Sequence, residues 1–69
     1  MATTTFTVQG MTCEHCVRAV SEEVAAIDGV AAVDVDLASG AVVVTTDGEA
    51  VDPALVAAAV DEAGYDLAP

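Results

Sequence analysis

The chain has 69 residues, 55% of them apolar but only 3% aromatic, and twelve acidic side chains against a single base give a net charge of −11. A domain of this length buries only about 60% of the surface its unfolded chain exposes, which argues against a large enclosed active site. The acidic balance repels phosphate backbones and anionic lipid headgroups, so nucleic-acid and membrane-surface binding are not expected.

Fifteen Ala and thirteen Val dominate the apolar set, so the core must be built from small side chains. The longest apolar run, ending at Val60, falls far short of the roughly 18 residues that a membrane-spanning helix needs. The segment Met1 to Phe6 has neither a positive flank nor an apolar core, so no export or transit signal is read. Taking Met1 as the start, a cytoplasmic location is expected.

Thr3 to Val8 alternates Thr with Phe6 and Val8, the period-two pattern of a half-buried strand, and ends at Gly10. From about Cys13 to Ile27, Val17, Val20, Val24 and Ile27 recur at helical spacing, and Asp28-Gly29 closes the segment. Val33, Val35 and Leu37 then alternate with Asp34 and Asp36, and Ser39-Gly40 turns the chain into Ala41 to Thr46, which predicts a β-hairpin. After Asp47-Gly48, Asp52 and Pro53 supply an N-cap and a first helical residue. Leu55, Val56, Ala59, Val60 and Ala63 make one stripe, Gly64 caps it, and Tyr65 to Leu67 has room for a short last strand. The order predicts an α+β fold, a ferredoxin-like βαββαβ sandwich: one four-stranded antiparallel sheet with both helices on one face, forming a single domain over 1–69.

Two cysteines spaced Cys-x-x-Cys, where thiols stay reduced, point to metal binding or redox exchange instead of a structural disulfide. They lie in Gly10-Met11-Thr12-Cys13-Glu14-His15-Cys16, between the first strand and the first helix. With Cys16 in the first helical turn and Cys13 just before it, both sulfurs can face one side. The helix N-terminus favours their thiolate forms. Two soft sulfurs suit Cu(I), whereas structural zinc ordinarily takes four ligands.

His15 reads as an exposed loop residue or as a secondary contributor, tuning the sulfurs or giving a third ligand in a metal-bridged homodimer. Met11 reads as an apolar anchor in preference to a thioether ligand. Thr12 suits a helix cap or a loop hydrogen bond, and Glu14 a helix start. Tyr65 falls at the same end of the sheet as the thiol loop, where it can shield a metal or fill the core. Arg18, the only Lys or Arg, reads as a solvent-facing residue that can also offset the negative charge of the site.

The segment Gly10-Met11-Thr12-Cys13-Glu14-His15-Cys16 resembles the motif of heavy-metal-associated domains, particularly bacterial Cu(I) chaperones, and the likeness covers nearly the whole chain. The resemblance implies a ferredoxin-like fold, Cu(I) on Cys13 and Cys16, Met11 packed inward and Tyr65 beside the site. It also implies a partner, the metal-binding domain of a copper-transporting P-type ATPase, reached by stepwise thiolate exchange, and a carrier, not an enzyme. The chain departs from many chaperones of the family in lacking lysine, so a basic docking face is absent. Docking is expected to use a basic partner surface, or the metal bridge with apolar contacts around Met11, Ala19 and Tyr65.

Three alternatives share the motif: a carrier of Hg(II), a carrier of Zn(II), and a thiol–disulfide oxidoreductase, the last disfavoured because such enzymes need a longer α/β chain.

Overall fold

The computed structural model describes residues 1–68; Pro69, the last residue of the expected domain, lies outside the described residues. The elements run β1 (Ala2–Gln9), α1 (Glu14–Ala25), β2 (Val30–Asp36), β3 (Ala41–Thr46), α2 (Pro53–Glu62) and β4 (Asp66–Leu67). The strands form one sheet in the order β2-β3-β1-β4, and each neighbouring pair is antiparallel. β1 and β2 are therefore parallel to each other with β3 between them, the split βαβ arrangement expected of a ferredoxin-like fold.

Alternation along the strands selects the core face. Phe6 pairs with Val42 and Thr4 with Val44, while Val33 and Val35 of β2 meet the same two valines from the other side. The opposite face carries Thr3, Thr5 and Thr7 from β1 and Asp34 and Asp36 from β2, all exposed. Between Val30 and Ala32 the register shifts, so that Val30 faces Thr46 and Ala32 faces Thr45. The extra residue lets Val30 and Val33, three apart in sequence, both pack against the core.

All six fully buried large side chains are valines: Val20 and Val24 from α1, Val42 and Val44 from β3, and Val56 and Val60 from α2. Short branched side chains fill the thin space between one sheet and two helices without long rotamers to order. Val51, just before the α2 cap, is also buried and joins the same cluster as Val56. The two occupy the N′ and N4 positions of a hydrophobic staple that fixes how the chain enters the helix. The cap itself is Asp52, whose Oδ1 accepts the Ala54 N–H at 2.9 Å, with Pro53 at the first helical position as expected.

Three expectations shift. Leu55 is 49% exposed and does not belong to the buried stripe of α2. At about 100° per residue, Val56, Ala59, Val60 and Ala63 centre that stripe roughly a quarter turn away from Leu55. α1 ends at Ala25, and Ile27 packs against the core from just beyond the helix, its N–H bonded to the Val24 carbonyl. Tyr65 precedes β4 instead of opening it.

Candidate metal centre

Cys13 is the N-cap of α1, extended at φ −157° and ψ 172°, and its carbonyl accepts the N–H groups of Cys16 and Val17. Its side chain makes no capping bond, so the sulfur is left for other contacts. Thr12 does not cap the helix, which corrects one of its two expected roles. Its hydroxyl instead lies 3.9 Å from the Cys16 sulfur, in keeping with the other role.

The two sulfurs lie 3.5 Å apart. Their environments differ because of helical phase: Cys16 leads the row Cys16, Val20, Val24 that α1 turns toward the core. Cys16 is consequently buried, 9% exposed, while Cys13, one position outside the helix, is exposed. One sulfur is anchored and the other reaches solvent.

The Cys16 thiol is held down at about 6, from an ordinary value of 9.0. The Thr12 main-chain amide contributes most, the Tyr65 hydroxyl next, and the Cys13 thiol and amide add to them against the opposing effect of burial. Tyr65 is shifted the other way: its hydrogen bond to Cys16, burial and the nearby sulfur charges raise its pKa above the usual phenol value. The link between Tyr65 and Cys16 runs through charge as well as hydrogen bonding.

Tyr65 reaches the site through the end of α2. Gly64 N–H bonds the Asp61 carbonyl at 2.9 Å and Tyr65 N–H bonds the Val60 carbonyl at 3.0 Å, a complete Schellman motif beyond the Ala63 cap. β4 then pairs Asp66 with Gln9 and Leu67 with Val8, which ties the Tyr65 backbone to the strand that leads into the thiol loop. Met11 is half-buried and packs against the core cluster, as its anchor reading requires.

His15 and Glu14 are exposed on the first turn of α1, as is Arg18 one turn later. Among the described residues no group of three or more His, Cys, Asp or Glu side chains converges, and no pocket is present. The arrangement is an open two-sulfur site at the molecular surface. In the sequence Gly10 ends the first strand and opens the thiol motif; its place beneath Tyr65 has no local signal, because the contact spans the length of the chain.

The sequence pattern of the heavy-metal-associated domain matches residues 5–66. The chain belongs to the heavy-metal-associated domain family. Within the family, the copper chaperone CopZ of Bacillus subtilis (strain 168) is 45% identical over 64 residues, covering 93% of either chain. Copper-transporting ATPase 2 of Rhizobium meliloti (strain 1021) is 44% identical over 62 residues, which are 90% of this chain and 7% of the ATPase. A solved CopZ metallochaperone has a TM-score of 0.89 at 36% identity and covers 97% of this chain and 100% of its own. The ferredoxin-like fold expected of a heavy-metal-associated domain is thus met by the topology and by these likenesses. No helix among the described residues is long and apolar enough to cross a membrane.

Proposed function

We propose that this chain is a cytoplasmic copper chaperone that holds Cu(I) as cargo between Cys13 and Cys16. In this reading it passes the ion to the metal-binding domain of a copper-transporting P-type ATPase. The observation that carries the reading is the pair of sulfurs 3.5 Å apart, one anchored and one exposed, with no further donor group converging among the described residues. Two soft ligands satisfy Cu(I), while zinc would leave half of a tetrahedral shell to solvent. The likeness to copper chaperones and to part of a copper-transporting ATPase supports both the cargo and the class of partner.

With thiolate–metal bonds near the ~2.3 Å known for zinc, a linear S–metal–S unit spaces its sulfurs by about 4.6 Å. The pair must therefore open from 3.5 Å on loading. Cys13 supplies the movement, since its side chain is exposed and makes no capping bond.

In transfer, a partner thiolate forms a bond to the ion, a three-coordinate intermediate follows, and the Cys13–copper bond breaks before the Cys16–copper bond. Charge is conserved because one thiolate enters for each that leaves. No substrate is chemically altered, so the chain acts as a carrier and not as an enzyme. Tyr65 shields the inner sulfur, and His15 on the rim tunes the pair.

Competitive titration against a Cu(I) chelator, with Zn(II) in parallel, tests the assignment. Cu(I) should bind one per chain and be lost in Cys13→Ser and Cys16→Ser; zinc bound equally well under matched conditions rejects it. For His15, an His15→Ala variant with unchanged Cu(I) affinity and pH profile would remove its tuning role.

A further inference from the structure

The chain contains two Asp-Gly pairs, Asp28-Gly29 and Asp47-Gly48, and the fold brings them side by side. Asp47 N–H bonds the Gly29 carbonyl at 3.2 Å. Thr46, just before Asp47, is paired with Ala2 of β1 and Val30 of β2, at the end of the sheet away from the thiol loop. Both aspartates are exposed. In an Asp-Gly pair the glycine nitrogen can attack the aspartate carboxyl carbon, since no side chain crowds it. A Cβ on Gly29 or on Gly48 would meet nothing within 4 Å, so neither nitrogen is shielded by the rest of the molecule.

The two pairs differ in what holds their main chain. Asp28 and Gly29 are the central residues of a turn closed by Val30 N–H on the Ile27 carbonyl at 3.2 Å, and Gly29 at φ +89° fits the type II form. Ring closure at Asp28 would have to break that turn. Asp47 lies in no such turn: among the described residues, the N–H groups of Gly48, Glu49 and Ala50 make no hydrogen bond. The bond that spans Asp47-Gly48 comes from a side chain. Thr46 Oγ1 donates to the Glu49 carbonyl at 2.7 Å, with the Ala2 carbonyl at 3.3 Å, and Thr46 is only 4% exposed.

We propose that Asp47 is a site of isoaspartate formation and that the Thr46 hydroxyl is the brake on it. The Gly48 nitrogen bonds to the Asp47 Cγ, the nitrogen's proton and the carboxyl hydroxyl leave as water, and a succinimide ring closes. Water then adds at the main-chain carbonyl carbon and the ring opens to the isoaspartyl link; addition at Cγ restores aspartate. Neither an oxidant nor a reductant is needed. The product exposes an α-carboxylate, the group that a protein isoaspartyl methyltransferase esterifies. Its extra main-chain methylene falls between β3 and the buried Val51 that staples α2, and leaves the thiol pair at the other end untouched.

The test incubates the reduced full chain in heavy-oxygen water at neutral pH, so that each ring opening leaves a mass label, and maps the label by peptide mass spectrometry. Methylation by an isoaspartyl methyltransferase identifies the isoaspartyl product. In the folded chain Asp47 should label about fivefold or more faster than Asp28, and in urea the two rates should converge. Thr46→Val should raise the Asp47 rate about fivefold, the factor for one lost hydrogen bond of ordinary net strength, while Thr46→Ser stays near wild type. Asp28 is the internal control, because general loosening of the fold would speed both sites. Equal labelling of the two aspartates in the folded chain, faster labelling at Asp28, or a Thr46→Val variant that leaves Asp47 unchanged or speeds both sites alike would overturn the proposal.

Discussion

The ring of Tyr65 lies across Gly10: a Cβ on that glycine would meet Tyr65 Cδ1 at 3.4 Å. Gly10 has φ +95°, outside the range that L side chains readily adopt, and it turns β1 into the thiol loop. The end of the first strand and the residue after the second helix thus close over one site, with Cys16 beneath the phenol.

Gly10→Ala should cost about 1–2 kcal/mol from the backbone conformation alone, since its new methyl would be in ordinary contact with the ring. Gly40→Ala should cost more. At φ +77° its Cβ would lie 2.7 Å from the Val8 carbonyl oxygen, a main-chain atom that cannot swing aside. Thermal unfolding should rank wild type above Gly10→Ala and Gly10→Ala above Gly40→Ala, with the first step at least about 4 °C. The reverse order for the two variants would contradict the close approach at Gly40.

The Cys16 thiolate should appear with a midpoint of about 6 in the metal-free protein, followed by its ultraviolet absorbance against pH. Because the folded value lies below the unfolded 9.0, the unfolded chain binds more protons between them. Stability from this group is complete above about pH 9 and is lost as pH falls through about 6. Tyr65→Phe should move the Cys16 midpoint upward, since it removes the second-largest lowering influence. Conversely, Cys16→Ser should let Tyr65 ionise at lower pH than in the wild type.

Val24→Ala, at a site with no exposed surface, should destabilise by about 1.5–3 kcal/mol through lost burial and an unfilled cavity. Leu55→Ala should stay within about 0.5 kcal/mol of wild type despite removing a larger side chain. Urea unfolding of both variants checks the placement of α2 as well as the core: a loss at Leu55 comparable to that at Val24 would mean the helix is turned about its axis.

Met11→Leu should bind Cu(I) as tightly as wild type and cost less than about 1.5 kcal/mol in stability, because the side chain packs against the core. A fall in Cu(I) affinity with stability unchanged would instead make Met11 a thioether ligand.

The sequence alone determined the order of the elements and the chemistry of the loop. Thr–Phe–Thr–Val alternation, the valines of α1 and the Asp52-Pro53 start are local patterns whose periods belong to strand or helix whatever lies across the core. The Cys-x-x-Cys pair likewise carries its preference for soft metals in the residue types themselves. Contacts between residues far apart in the chain decided the rest. Pairing against β3 placed the bulge that brings Val30 inward, and the position of α2 on the sheet left Leu55 outside. The phase of α1 against the core made Cys16 the anchored sulfur and Cys13 the exposed one. Tyr65 was visible as a candidate from its place beside Gly64, but its reach to Cys16 and its cover over Gly10 depend on the Schellman turn and on β4 pairing with β1. Spacing fixes which side chains a local segment can bring together; packing fixes which of them is held, which is free, and what distant residue closes over them.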